Sequence, residues 1–218
     1  MNILIIKNGK CKTLINKILK SIDKNININI IYNSQLEKIN ILPNKVIILG
    51  GLLSVNDNNK NINIVLNFIK KCDENKIPIL GICLGCQLIA KYLGCEIKKA
   101  RRPVIGFKKI KVINTENNIS NILKKYDKYF ISLHNDYIIP NNKINIYAYY
   151  NNFPYLINYK NMIGLQFHPD IIEENYSKFL NYFNLTDYKK EKINNYYKKN
   201  NNLIKEASIN IFKEWLKI

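Results

Sequence analysis

Three short stretches of this chain hold the residue types that nucleophilic chemistry requires. In Gly81-Ile82-Cys83-Leu84-Gly85-Cys86-Gln87 a cysteine ends an apolar run, has a glycine two residues to either side, and leads into helical spacing. This is the pattern of a nucleophile elbow with Cys in place of Ser, the glycines allowing strand, turn and helix to approach closely. Free N–H groups and the helix dipole would favour the Cys83 thiolate, the form that attacks a carbonyl. The competing reading is a small apolar core residue beside two packing glycines. In Gly164-Leu165-Gln166-Phe167-His168-Pro169-Asp170 an imidazole stands at the end of a second apolar strand. It could take a thiol proton and return it to a leaving amine, with Asp170 fixing its tautomer. The chain has two histidines, His134 and His168, and His168 has the better-matched acidic neighbour. A structural hydrogen-bonding histidine is the alternative there. The third stretch is Gly50-Gly51 after Val46-Ile47-Ile48-Leu49. Backbone N–H groups at that turn, with the amide of Leu84, could hold a developing oxyanion, or the pair could be a simple turn.

Cys83 and Cys86 also form a Cys-x-x-Cys, which could be a redox pair. The Gly-x-Cys-x-Gly context and the following Gln87 explain the segment better. A zinc site would need a second ligand pair, and Cys11, Cys72 and Cys95 stand singly, so no metal is expected.

The elements that must carry these residues alternate between strand and helix. Asn2 to Ile6 is strand-like, Lys12 to Ile22 places Leu14, Ile15, Ile18, Leu19 and Ile22 on one helical face, and Asn27 to Ile31 alternates as a strand. Val46 to Leu49 has the unbroken apolar character of a central strand buried on both faces. Ile62, Val65, Leu66 and Ile69 mark a helix ending near Asn75, and Ile79 to Ile82 is the strand before Cys83. Leu84, Leu88, Ile89 and Leu93 then space as a helix closed by Gly94. The pattern predicts an α/β fold with a mostly parallel central sheet flanked by helices. Short strands follow at Ile110 to Ile113, Tyr129 to Ser132, Ile144 to Tyr150, Tyr155 to Tyr159 and Met162 to Gln166, read as an antiparallel extension of that sheet. Beyond Asp170 the chain reads as a helical tail, about 173–218, with Ile172, Phe179, Phe183, Leu203, Ile204, Ile211, Trp215 and Leu216 on its apolar positions. The Asn/Lys-rich segments Asn56 to Asn63 and Lys189 to Asn202 read as loops or solvated helix faces, and one domain over 1–218 is expected.

The formal net charge is +18, from 34 Lys+Arg against 16 Asp+Glu. Only Arg101 and Arg102 are arginines, while Lys, Asn and Ile are over-used throughout without a single basic block. That distribution fits codon bias better than a phosphate-reading face, so nucleic acid is not the expected partner. No apolar run is long enough to cross a bilayer, and the amino-terminal residues lack the features of a signal peptide. Five cysteines in an odd, scattered set suit a reducing compartment, and a cytoplasmic protein is expected.

In this order, Leu49-Gly50-Gly51, Gly81 to Gln87 and Gln166 to Asp170 resemble the class I (triad) glutamine amidotransferase family. The resemblance runs over most of the chain. Ser132-Leu133-His134-Asn135-Asp136 is similar to a Ser-x-His-x-Asp stretch of the GMP synthase amidotransferase and its free-standing relatives, and Arg102 to Phe107 and the tail ending in Glu214-Trp215-Leu216 resemble those free-standing members more than the anthranilate or carbamoyl-phosphate branches. The resemblance implies a flavodoxin-like fold and hydrolysis of the glutamine side-chain amide through a γ-glutamyl thioester, releasing ammonia. It implies Cys83 as nucleophile, His168 as base and acid, and Asp170 as orienting carboxylate. It implies oxyanion amides from Gly51 and Leu84, and glutamine held by Gly50, Gln87 and backbone near Leu133 and His134. One departure stands out: the family usually has Glu where this chain has the shorter Asp170. No cofactor is implied, and no phosphate loop or dinucleotide fingerprint is present for using ATP. The ammonia acceptor would be a separate synthase subunit of GMP synthase type. A γ-glutamyl peptide hydrolase using the same triad, or a catalytically silent binding module, are the alternatives.

Overall fold

The structure, a computed structural model, describes residues 1–10, 13–172, 180–181 and 185–218. Five strands form its parallel heart: β1 (Asn2–Lys7), β2 (Asn27–Tyr32), β3 (Lys45–Ile48), β4 (Ile79–Ile82) and β10 (Met162–Leu165). Their spatial order is β2-β1-β3-β4-β10. Antiparallel strands β9 (Phe153–Tyr159), β8 (Asn145–Tyr150) and β6 (Lys111–Val112) extend the sheet beyond β10.

Successive side chains of a strand point to opposite faces, so a strand covered on both sides must be apolar at every position. The sheet follows this rule. Ile3 and Ile5 of β1, Ile47 of β3 and Leu80 and Ile82 of β4 pack on one face with helix α1 (Ile15–Ile22) and the apolar side of α5 (Asp187–Leu216). Leu4, Ile6, Val46, Ile48 and Ile79 pack on the other with α2 (Lys60–Glu74) and α3 (Leu84–Tyr92). This is the α/β architecture that the alternation of strand and helix predicts, with its most apolar strands, β3 and β4, in the middle.

Two expectations change. Met162 to Gln166, expected in the antiparallel extension, instead gives β10, which runs parallel to β4 and meets that extension only through β9. The segment Tyr129 to Ser132 is not part of the main sheet. It begins a long strand β7 (Ile131–Ile139) that pairs antiparallel with β5 (Glu96–Phe107) in a separate two-stranded ladder. The first seven residues of β5, Glu-Ile-Lys-Lys-Ala-Arg-Arg, have no apolar run because most of their side chains face solvent, and this hides the start of the strand from a pattern search. A short helix, α4 (Asn118–Lys125), capped by the Asn117 side chain, also escapes notice between two strand-like runs.

The first helix is described from Ile15, and Lys12 lies outside the described residues. So do Phe179 and Phe183 of the expected tail, whose remainder is helical from Asp187. Both Asn/Lys-rich segments enter helices: Asn59 caps α2, and Lys189 to Asn202 lies within α5. Among the described residues no helix is long and apolar enough to cross a membrane.

Candidate active site

The site is assembled at the carboxyl ends of β3, β4 and β10, where open α/β sheets leave a crevice. At the end of β4 the chain turns directly into α3 through Cys83, whose φ of +54° and ψ of −104° are strained for a residue with a side chain. Its neighbours show what holds it there. A Cβ on Gly81 would come within 2.4 Å of the Gly85 carbonyl oxygen, and one on Gly85 within 2.1 Å of the Ile48 carbonyl oxygen. Both glycines are therefore required by contact between α3 and the strands below. The Cys83 amide donates to the Leu165 carbonyl at 2.7 Å, tying the turn to β10.

His168 follows β10, anchored by its own amide, which donates to the Ile131 carbonyl at 2.9 Å. Its Nδ1 lies 3.1 Å from Asp170 Oδ1, so the shorter carboxylate reaches the ring without a further methylene. The ring is a hydrogen-bond partner of the Cys83 side chain. Gly50 sits between them: a Cβ there would lie 2.9 Å from His168 Cε1 and 3.3 Å from Cys83 Cβ. Burial by itself would keep the imidazole neutral, but its electrostatic and hydrogen-bonding interactions with Cys83 and Asp170 outweigh it. The His168 pKa is pushed up to about 10, so the imidazolium is its resting form at neutral pH.

His134 is driven the opposite way. Burial, reinforced by the His168 charge, brings its pKa down to about 4. Its tautomer follows from its partners. Nδ1 lies 2.9 Å from the Asp136 carbonyl oxygen, which can only accept, so Nδ1 carries the proton. Nε2 is then free to accept from the Tyr155 hydroxyl at 2.8 Å, and that hydroxyl also meets Ser132 Oγ at 3.2 Å. Two histidines with pKa values pushed apart are the electrostatic mark of a site with divided roles.

A cavity of about 390 Å³ lies beside Cys83. Gly51, Leu84, Gln87, Leu133 and His134 line it, together with Ser54, Lys99 and Asp136. The Cys83 sulfur is 3.7 Å from the Leu133 carbonyl oxygen. Gly51 is packed so tightly that a Cβ would fall 2.6 Å from the Asn8 carbonyl oxygen; the buried Asn8 side chain donates in turn to the Leu49 carbonyl. The Leu84 amide is at the first position of α3, where helix N–H groups have no acceptor within the helix. The Gln87 side chain donates to the Asp136 carbonyl and to Gln166 Oε1, a buried brace along one wall. Gly50, His168 and Asp170 lie outside that lining, behind Cys83.

The family model "Glutamine amidotransferase class-I" matches residues 4–185. The chain belongs to the class I glutamine amidotransferases. A glutamine amidotransferase-like protein of Acanthamoeba polyphaga mimivirus is 36% identical over 224 residues, covering 99% of this chain and 98% of that protein. The glutamine-hydrolyzing GMP synthase subunit of Sulfolobus acidocaldarius is 34% identical over 150 residues, 62% of this chain and 77% of its own length. In fold, a glutamine amidotransferase of Thermotoga maritima superposes with a TM-score of 0.83 at 17% identity, covering 100% of this chain and 99% of that one.

At this candidate site, sequence reasoning passes over Ser54, Lys99 and Tyr155. Ser54 and Lys99 lie in an Asn-rich loop and a lysine-rich strand whose composition gives no contrast. Tyr155 is visible as a strand residue, but its hydroxyl reaches His134 from β9, a contact that no local spacing encodes.

Proposed function

We propose that the chain hydrolyses the side-chain amide of glutamine through a Cys83 thioester. The observation that carries this reading is the Cys83 sulfur at a strained elbow beside a buried His168–Asp170 pair, all three at one end of the sheet. With the imidazole already charged, Cys83 attacks the amide carbon as a thiolate, and the C=O electrons move onto oxygen. The amides of Gly51 and Leu84 are the donors for that oxyanion, and both residues border the cavity. His168 gives its proton to the departing nitrogen, ammonia leaves, and the thioester remains. The neutral ring then takes a proton from water, the hydroxide attacks the thioester, and glutamate departs as the thiolate re-forms. Asp170 supports the charged ring throughout.

The other end of the substrate is a zwitterion, and the cavity offers both signs. Lys99 and Asp136 are register partners across β5 and β7 and both line it, with Ser54 donating to Asp136 Oδ2 at 2.6 Å. Lys99 is placed for the α-carboxylate and Asp136 for the α-ammonium. Substituting Lys99→Ala or Asp136→Asn raises KM by about tenfold or more with a smaller change in kcat, the pattern of binding lost equally in ground and transition states. The ammonia acceptor in this reading is a separate subunit of GMP synthase type, supported by the similarity to the Sulfolobus acidocaldarius GMP synthase subunit. The direct test is labelling with a glutamine-like diazoketone followed by peptide mass analysis. A single adduct on Cys83, suppressed by glutamine, is expected. Labelling elsewhere, or none, contradicts the reading.

A further inference from the structure

A second cavity, of about 750 Å³, lies between the end of β5 and the first turns of α5. Six of its lining residues are cations: Arg102, Lys108, Lys109, Lys128, Lys189 and Lys192. Among the described residues no acidic side chain lines it and none of the six cations is in an ion pair. Lys108 has the Tyr150 ring beneath its ammonium, at 5.8 Å from the centroid.

The cleft is built rather than incidental. Gly106, at φ +99°, lets the end of β5 settle against Ile193 of α5; a Cβ there would touch that side chain at 3.5 Å. Phe107 and Tyr196 pack with centroids 4.7 Å apart, and the Tyr196 hydroxyl donates to the Lys128 carbonyl at 3.1 Å. These contacts give the cleft an apolar wall and fix the strand and helix that carry its lysines. The cost of that arrangement shows at Lys108, whose pKa is lowered by burial and then by the charges of Lys189 and Lys192. Like charges held together in a concavity raise the local potential and attract multivalent anions.

We infer that this cleft is a binding site for a phosphate-bearing small molecule of nucleotide size. Its volume lies within the range of roughly 300–1,000 Å³ typical of ligand pockets. Its two surfaces match the two halves of such a ligand, cations for a chain of phosphates and the Ile105, Phe107, Ile193 and Tyr196 wall for a flat ring. A duplex would instead need cations spread along a face to track successive phosphates. The cleft also adjoins the candidate active site: Ile105 in its wall is the register partner of Leu133, which lines the glutamine cavity.

Equilibrium titration of the full chain at about 0.15 M salt, where exposed charges are screened beyond roughly 8 Å, tests this without any reading of glutamine turnover. The probes are adenosine triphosphate, inorganic triphosphate, a glutamate-rich peptide and a short DNA duplex. Saturable binding of the nucleotide is expected, tighter than that of inorganic triphosphate. A Lys189→Gln/Lys192→Gln double variant, altered only at exposed positions and checked by circular dichroism, should weaken it at least tenfold. Phe107→Ala should weaken the nucleotide while leaving inorganic triphosphate unchanged. No saturable nucleotide binding at millimolar concentration overturns the inference, as does binding unaltered in the double variant. Tighter binding of the acidic peptide or the duplex than of the nucleotide overturns it in favour of a macromolecular surface.

Discussion

Cys83, His168 and Asp170 form a coupled charge system, and its consequences are measurable at single residues. Interaction with the Cys83 side chain, beside that with Asp170, holds His168 in its charged form. In Cys83→Ala that influence is gone, so the His168 titration observed by NMR should move from about 10 to a lower pH. An unchanged titration would mean that the ring is not coupled to the sulfur. The sign for stability follows. A folded-state pKa near 10, raised above the ordinary histidine value of about 6.5, contributes stability that is fully present below pH 6.5 and lost as pH rises through 10. Relative to His168→Gln, the parent should therefore lose stability between pH 6.5 and 10 in chemical denaturation series. A parallel pair of pH profiles would refute this. Asp170→Asn removes the carboxylate while preserving size, and should lower kcat by about 10²- to 10⁴-fold with little change in KM. These three residues were legible in the sequence because each stands in a short motif at a strand end. The Ser132, Tyr155, His134, Asp136 chain was legible only in part, because its central contact joins two strands far apart in sequence.

At the scale of elements, the elbow is set by packing. Gly85 is the second residue of α3, on the side that crosses β3, and a single methyl there would meet backbone rather than a movable side chain. Gly85→Ala should cost about 1–3 kcal/mol in thermal or denaturant unfolding, and should displace the nucleophile enough to lower turnover in the protein that remains folded. A variant with parental stability and activity would show that α3 is free to shift. The central strands β3 and β4 could be read from sequence because a strand buried on both faces has no polar positions, as in Val46-Ile47-Ile48-Leu49, whereas the direction of β10, parallel to β4, could not. The β5–β7 ladder could not. Its β5 segment alternates only weakly, with Ile97 and Val104 buried among charged residues, and its partner reads as a strand for only its first residues. That ladder nevertheless brings Lys99, Leu133, His134 and Asp136 to the cavity, so the least readable element shapes one wall of it.

For the molecule as a whole, α5 closes one face of the sheet. Ile204, Ala207, Ile211, Phe212 and Trp215 are buried there, and the Lys45 ammonium lies 5.5 Å from the Trp215 ring centroid. Trp215→Ala should therefore cost about 3–5 kcal/mol, measured by denaturant unfolding, even though the residue is remote from Cys83. A loss below about 1 kcal/mol would mean that the helix packs without it. The excess of positive charge is also placed in part: six of its cations converge on one cleft. The central claim concerns the reaction, and its most direct test is release of ammonia and glutamate from glutamine by the purified chain, beside Cys83→Ala and His168→Ala at equal concentration. Stoichiometric release by the parent that disappears in both variants is the predicted result. Release that persists in Cys83→Ala, or no release from the parent together with a faster reaction on a γ-glutamyl dipeptide, would contradict the account.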